Sequence, residues 1–438
     1  MKTPFSRLRV ASLLAVAWTA ALYIPATVAA AASKAWGAIA GDPSPMGTHG
    51  VFGANVLTNL AADIYRAADI VAREAVGFIP SVTINAGSER VAVGQNVRSH
   101  FTRAATAADV APSMTIPEGT DQTVDTKTLT LTKQRGVAIP WTGEDIRFVN
   151  GGSGYETIYG DQIAQAMRTL VNEIEADLAA EAYQNASRAV GTAGTTPFAS
   201  NTDVIVDARQ IIFDNGMPVT DGRLSLVINS LASSKLRKLT ALQKVNESGD
   251  ARLLRQGTLI DLFGAMIKES AQVQSHTKGA GVGYDFATAG EAIGQTTLTV
   301  EGGTVNTTGI KAGDVITHAG DSTNKYVVNT GTVATGGDIV IGSPGLRIAG
   351  ADANEITVGD SYTANVLLHQ SCIELAMRAP ASPAGGDAAV DVMVVQDPYS
   401  GLTFEVSVYK GFKKAMIYVA AVWGKKAWKP DGIAILMG

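Results

Sequence analysis

The sequence predicts an α+β fold in which a small all-β barrel is inserted into a larger α/β domain. Three observations predict this architecture. One apolar stripe at spacings of three and four runs through 155–189, which indicates a helix of unusual length. Helical and extended patterns then alternate through 190–290. From 294 to 362 the chain changes to short strands rich in Thr, Val and Gly, and the α/β pattern resumes after them, as expected of an insertion.

The first 45 residues have the pattern of an export signal. Lys2, Arg7 and Arg9 precede an apolar run from 10 to 24, and small residues follow from 29 to 32. This run is shorter than the roughly 20 residues that a membrane-spanning helix needs, and it suits the apolar region of a signal peptide. Residues 1–45 are therefore set apart as a signal-like N-terminal extension.

Residues 46–95 are predicted to form an N-terminal helical arm. A Gly/Pro-rich stretch ends near Met46, and apolar side chains then recur at helical spacing until Gly77 and Pro80 end the pattern. The recurring positions are Val56, Leu57, Leu60, Ile64, Ala67, Ile70 and Val71.

Residues 96–134 are predicted to form an extended hairpin loop. Much of this segment is polar, contains proline and has few large apolar residues, so it cannot build a core of its own. The stretch "TKTLTLTKQRGVAIPW" alternates as two strands around a predicted turn at 133–136. The pattern alone fits an ordinary surface hairpin equally well.

Residues 135–190 are assigned to a peripheral domain built on the long helix. The apolar stripe of this spine helix contains Ile163, Met167, Leu170, Ile174, Leu178 and Ala182. Four carboxylates lie mostly off the stripe and are interpreted as a solvated or interfacial face; they are Glu173, Glu175, Asp177 and Glu181.

The ranges 191–293 and 363–438 are assigned to an axial α/β domain with closing strands, and 294–362 to the inserted β-barrel domain. A helix ended by Gly216 and Pro218 opens the axial domain. The Gly-rich stretch 275–294 is interpreted as a linker from its composition. Two strands are expected around the turn 397–401.

Composition limits the classes of function. Charged residues make up 17% of the 438 residues and the formal net charge is −5, whereas globular domains average about 25% charged residues. Low charge indicates a surface that other subunits cover. This slightly negative net charge differs from the strongly basic character of a nucleic-acid-binding protein.

A search for chemistry-bearing motifs predicts no catalytic, cofactor-binding or metal-binding residues, and therefore no enzyme. The five histidines are not spaced as ligand pairs, and His318 is interpreted as a surface residue. Cys372 has apolar neighbours and is interpreted as a buried structural thiol. The glycines at 279–283 lack the strand and helix that a dinucleotide loop requires.

The order of these parts resembles a known family. The stretch "TLTLTKQRGVAIPWTGEDIRFV" before "YETIYGDQIAQAMRTLVNEIEADLAAEA", the stretch "GIKAGDVITHAG" before "NEITVGDSYTANVLLHQSCIELAM", and the ending "MIYVAAVWGKKAWKPDGIAILMG" resemble the major capsid (coat) proteins of tailed bacteriophages with the HK-ninety-seven fold. More narrowly they resemble the P-twenty-two-like coat family, which carries an insertion domain.

The resemblance implies a structural protein of the virion capsid. Copies would form pentamers and hexamers of an icosahedral shell, with the hairpin lying over a neighbouring subunit. The shell would assemble in the host cytoplasm with a scaffolding protein and a portal protein, and would enclose double-stranded DNA without sequence-specific binding and without a membrane. Since export would defeat such assembly, we expect residues 1–45 to be an upstream extension, from a start assigned before Met46, that the working subunit lacks.

A second class of function stays open at this stage. The signal-like segment, the Thr/Gly-rich strands and the single cysteine also suit a secreted or cell-surface structural protein, such as an adhesin or surface-layer subunit. An exported protein would be found processed near Ala30, outside the cytoplasm, whereas a coat protein would sediment as large cytoplasmic particles.

Overall fold

The chain forms a mixed α+β structure with few helices and many strands. The computed structural model describes residues 74–101, 107, 109, 112, 114, 125–150, 155–244, 261–287, 289–304 and 308–438. The predicted extension 1–45 and the arm helix predicted before residue 74 lie outside these residues. Within the described ranges, no helix combines the length and the hydropathy that crossing a membrane requires.

The described part of the N-terminal arm is extended. A 3₁₀ turn, Ile79–Ser81, precedes strand β1, Thr83–Val91. The helical pattern predicted for the arm ends at Gly77 and Pro80, and the segment after them pairs in parallel with a later strand, residues 373–380. Ladder hydrogen bonds to that strand replace those that a helix would form within itself.

Two strands form the hairpin, but the predicted turn between its strands is wrong. Strands β2, Asn96–Phe101, and β3, Asp125–Thr130, pair with each other in antiparallel register. Strand β4, Lys133–Thr142, instead pairs with the strand at 414–427. The chain therefore passes within two residues, 131–132, from a strand that pairs with β2 to a strand that pairs with 414–427. Polar and apolar side chains keep alternating across these two residues, so the sequence shows no break there.

The long helix is present as predicted. Helix α1, Gly143–Asn150, precedes helix α2, Tyr155–Gln184. At about 1.5 Å per residue, α2 is roughly 45 Å long. Every residue of the predicted stripe is buried. The prediction ran five residues too far because residues 188–190 form strand β5, Arg188–Val190, which pairs with two other strands.

The α/β part of the chain follows α2 and is completed by the last strand. Helix α3, Asp203–Asp214, ends two residues before Gly216, the glycine predicted to end it, which has a φ of +83°. The remaining helices are α4, Ser230–Arg237, and α5, Thr240–Gln243; the strands are β6, Leu224–Ile228, β7, Asp261–Leu262, β8, Ala265–Glu269, and β9, Ser275–His276.

Six strands between residues 284 and 358 form a ring in which each strand pairs with two of the others. This ring is here called the closed sheet. They are β10, Tyr284–Phe286, β11, Thr297–Glu301, β12, Val315–His318, β13, Asp321–Thr330, β14, Gly337–Ile341, and β15, Glu355–Val358. Ring closure comes from the pairing of β12 with both β13 and β15. The closed sheet surrounds its own apolar cluster, which includes Tyr284, Phe286, Leu298 and Tyr326.

The linker interpretation of 275–294 is wrong, and the predicted boundary at 294 cuts through the closed sheet. This stretch contributes β9 and β10. Its glycines serve close backbone packing, since a Cβ on Gly279 would lie 2.1 Å from the carbonyl oxygen of Gly309. Gly-rich composition here reflects a tight approach of two chain segments and not a flexible connection.

The last six strands of the chain belong either to a six-stranded sheet or to the sheet of the α/β part. They are β16, Tyr362–His369, β17, Ile373–Pro380, β18, Ala389–Gln396, β19, Thr403–Gly411, β20, Lys414–Ala427, and β21, Ile433–Met437. Strand β20 is the centre of a six-stranded sheet and pairs with β4, β17 and β19. Strands β16 and β21 pair in the centre of the α/β part. The predicted turn at 397–401 is confirmed by Asp397, whose carboxylate accepts from the Ser400 amide at 3.1 Å.

Candidate subunit-contact surfaces

The hairpin is fixed to the body at its root, a cluster of Leu129, Leu131, Ala376 and Val422. All four are buried together, and the Thr132 amide donates to the carbonyl oxygen of Trp423 at 3.2 Å. The root therefore sets the direction in which β2 and β3 leave the six-stranded sheet.

Beyond the root, the hairpin has no third strand among the described residues. β2 and β3 form a two-stranded sheet of their own, and Thr130 donates from its hydroxyl to Asn96 Oδ1 at 2.6 Å. An isolated two-stranded hairpin is marginally stable in water. The hairpin is thus an element whose order depends on what packs against it.

The N-terminal arm meets helix α2 at a buried carboxylate. Glu175 is fully buried and accepts from the amides of Gly77, Phe78 and Ile79 at 2.5, 2.7 and 2.9 Å. It also accepts from the Ser270 hydroxyl at 2.8 Å. The interpretation of Glu175 as part of a solvated or interfacial face is therefore wrong. Its position beside other acids of the helix gave no sign of this role.

The other carboxylates of α2 tie the helix to the six-stranded sheet. Asp177 pairs with Lys133 Nζ at 2.7 Å and accepts from Trp423 Nε1 at 3.0 Å. Lys425 lies against the same acid and donates to its backbone carbonyl. Burial lowers the pKa of Lys425, although Asp177 opposes that shift. Glu173 pairs with the exposed Arg135 at 3.0 Å.

The closed sheet is attached to the C-terminal end of α2 through a buried His–Asp pair. His276 Nε2 lies 2.7 Å from Asp314 Oδ1, and the histidine ring lies 5.6 Å from the ring of Tyr183 and 5.4 Å from that of Tyr362. Asp314 also accepts from the Gly279 amide at 3.0 Å. The junction therefore joins α2, β9 and the closed sheet.

A second junction is built from two arginines that share one amide. Arg188 donates to Asn324 Oδ1 at 2.9 Å and to Asn215 Oδ1 at 3.3 Å, and Arg347 donates to the same Asn215 oxygen at 2.8 Å. Burial first, and then the nearby Arg347 charge, lower the pKa of Arg188. This network links β5 and α3 to the closed sheet.

His276, His318, His369 and Cys372 occupy structural positions. His318 is buried between Phe286 and Tyr326, and burial lowers its pKa, so its interpretation as a surface residue is wrong. His369 pairs with Asp221 at 2.8 Å. Cys372 is buried as predicted, and burial raises its pKa to about 12. Among the described residues, no group of three acids, histidines or cysteines could hold a metal ion.

Apolar side chains are exposed at two places on the six-stranded sheet. Phe412, at the tip of the turn between β19 and β20, is 93% exposed. The edge strand β18 exposes Val390, Val392 and Val394 in alternation, and no described strand pairs with its outer edge. An unpaired apolar edge and an exposed aromatic tip are features of protein–protein contact surfaces.

Comparisons with known proteins find similarity at the level of structure. The chain matches no family model, and no curated protein matches it in sequence. A structure from Mycobacterium phage Che8 is similar at 14% identity and a TM-score of 0.43, over 84% of this chain and 92% of that one.

Two further similar structures are those of phage capsids. The capsid structure of the cyanophage P-SCSP1u has 12% identity and a TM-score of 0.46, over 84% of this chain and 89% of that one. The mature capsid of bacteriophage PhiM1 has 9% identity and a TM-score of 0.43, over 84% and 88%. Each match spans most of both chains.

Proposed function

We propose that the chain is the major capsid (coat) subunit of a tailed phage or prophage, with an HK-ninety-seven-like fold and an inserted β-barrel domain. The observation that carries this proposal is the hairpin: its root is firmly packed, while its two strands have no third strand among the described residues. A shell subunit needs such an element, because it can reach a neighbour and be ordered by that contact.

The remaining parts agree with a subunit made for assembly. Helix α2 joins the arm, the six-stranded sheet and the closed sheet through Glu175, Asp177 and Tyr183. These contacts make the body of the subunit a stiff support for the hairpin. We assign the arm to 46–95, the hairpin loop to 96–134, the peripheral domain to 135–190, the axial domain to 191–283 and 363–438, and the insertion to the closed sheet, which begins at β10.

In this proposal, copies assemble into the pentamers and hexamers of a shell in the host cytoplasm. Edge strand β18 and the Phe412 tip supply further contacts between copies, and a surface of low charge suits extensive burial between subunits. The chain's formal net charge of −5 suits a shell that encloses DNA without binding it tightly, since tight DNA binding needs many Lys or Arg contacts with phosphate. A scaffolding protein and a portal protein complete the set of partners.

Expression of the full chain with its neighbouring gene products tests the proposal against a secreted or cell-surface role. We expect rapidly sedimenting particles in the cytoplasmic fraction, with icosahedral outlines under electron microscopy. Recovery of the protein only as a processed chain outside the cytoplasm would contradict the proposal and favour an adhesin or surface-layer subunit.

Substitution of the exposed aromatic tip should separate assembly from folding. Phe412→Ser removes a side chain that contacts little in the isolated subunit, apart from Lys413, whose Nζ lies 5.7 Å from the ring. Stability should change by less than about 0.5 kcal/mol. Shell formation should slow, because burying a Phe contributes about 1.5–3 kcal/mol per contact. Light scattering during assembly measures the rate.

The matched control is Val333→Ser, which changes a side chain that is 59% exposed in the loop between β13 and β14. We expect this variant to assemble at the wild-type rate. If Phe412→Ser assembled as fast as Val333→Ser, the tip would not be a contact between copies.

A further inference from the structure

Three arginines surround one polar pocket between β1, β17 and the start of the hairpin. The pocket has a volume of about 580 Å³, and its charged and amide lining includes Glu89, Arg90, Gln95, Asn96, Arg98 and Arg378. Three cations face one carboxylate in this lining. The pocket therefore has an excess of positive charge in a chain that is acidic overall.

Arg378 is the buried cation of the pocket. It is only 8% exposed, and it donates to the carbonyl oxygens of Asn85 and Met377 at 2.6 and 2.8 Å and to Asn85 Oδ1 at 2.9 Å. Among the described residues, its Nε–H has no hydrogen-bond partner, and no carboxylate pairs with the guanidinium. A buried charge with an unused donor is costly unless a partner reaches it.

Other side chains of the pocket also have hydrogen-bond donors that are not used within the subunit's described residues. Gln95 Oε1 accepts from the Ala92 amide at 3.1 Å, and Asn96 Oδ1 accepts from the Thr130 hydroxyl. Each oxygen is thus used within the hairpin, which leaves the amide NH₂ groups as donors. Arg98 is exposed and forms no ion pair within the described part of the chain.

Arg90 differs, because its charge is already neutralised. It pairs with Glu405 at 2.7 Å and donates to Ser382 Oγ at 2.6 Å. With Arg90 neutralised, Arg98 on the hairpin and Arg378 on β17 face the single carboxylate of Glu89, so the lining keeps an excess of one positive charge.

We propose that this pocket binds a phosphate group, either free or within a polynucleotide backbone. Arginine forks match phosphate oxygens in bidentate geometry. A phosphate presents acceptor oxygens in several directions, so one group can accept from both the hairpin side and the β17 side, whereas a planar carboxylate presents only two oxygens. Binding would tie Arg98 to Arg378 and hold the hairpin against the sheet. The inference goes beyond the proposed function and does not depend on it.

Calorimetric titration of the unassembled full chain tests the proposal with two probes. One is inorganic phosphate at constant ionic strength, and the other is a short duplex DNA. Arg98→Gln removes an exposed donor without disturbing the buried Arg378, and should weaken binding at least about tenfold, as expected for the loss of one charged hydrogen bond. The control Arg135→Gln changes an arginine whose side chain is 60% exposed and lies outside the pocket, and should bind as the wild type does.

The two probes distinguish the source of the phosphate. Arg98-dependent binding of inorganic phosphate identifies a site for the free anion. Arg98-dependent binding of duplex DNA alone identifies a contact with a polynucleotide backbone. If neither probe bound, or if both bound equally well to the wild type and to Arg98→Gln, the proposal would be overturned.

Discussion

Glu175→Gln should lower the free energy of unfolding of the subunit by about 3 kcal/mol or more. The carboxylate accepts from three backbone amides and one hydroxyl without access to water. In the better of its two orientations, the glutamine amide would place its NH₂ group at the Oε2 position, where the Ile79 amide would lose its acceptor. The other three donors would keep an oxygen but lose its negative charge, and each charged hydrogen bond contributes about 1.5–3 kcal/mol. Lys268, whose Nζ donates to the carbonyl oxygen of Pro80 at 2.8 Å, would lose a nearby opposite charge. Urea unfolding of the unassembled subunit measures the change.

Glu173→Gln is the matched control on the same helix. The Glu173 side chain is 31% exposed and pairs with an exposed arginine, so its loss should cost less than about 1 kcal/mol. Equal stability of the two variants would show that Glu175 does not hold the arm. Limited proteolysis adds a second readout, because a released arm should be cleaved near residue 77 only in Glu175→Gln.

Replacement of residues 102–124 by a short Gly/Ser turn should abolish shell formation while the subunit still folds. The turn would join β2 to β3 in their present register, from Asn96 opposite Thr130 to Phe101 opposite Asp125, and the root at Leu129 and Leu131 would remain. The removed segment supplies, in our proposal, the reach over the neighbouring subunit. Its loss should shift the product from particles to small oligomers, as measured by analytical ultracentrifugation.

The control for this replacement is the exposed loop between β17 and β18. Exchange of residues 384–386 for Gly/Ser changes a loop whose residues are exposed and to which we assign no contact between copies. We expect particles from the control and none from the hairpin variant. Normal particles from the hairpin variant would refute the role that we assign to the hairpin.

Helical and strand elements with clear periodicity could be predicted from the sequence. The buried stripe of α2 and the end of α3 before Gly216 follow from local rules of spacing and capping. The strands around the turn at 397–401 follow from alternation and turn residues. In each case the spacing of the apolar residues and the residues that end the element lie in one continuous stretch of the sequence.

Long-range pairing could not be predicted in the same way. The alternation of 125–142 indicates two strands but not that β3 pairs with β2 while β4 pairs with β20. Glu175 and His318 are buried because segments distant in sequence pack over them. The residues next to a polar side chain in the sequence do not show whether a distant segment will bury it. The Gly-rich stretch 275–294 has the composition of a linker, yet its glycines permit a close backbone contact with Gly309.

Cryo-electron microscopy of the assembled particle shows directly whether the chain builds a closed shell in which the hairpin, 96–130, is ordered by a neighbouring subunit. We expect icosahedral particles whose map shows β2 and β3 packed on an adjacent copy, with the hairpin root on its own six-stranded sheet. A map in which the hairpin folds back on its own subunit, or preparations that contain no closed particle, would contradict this expectation.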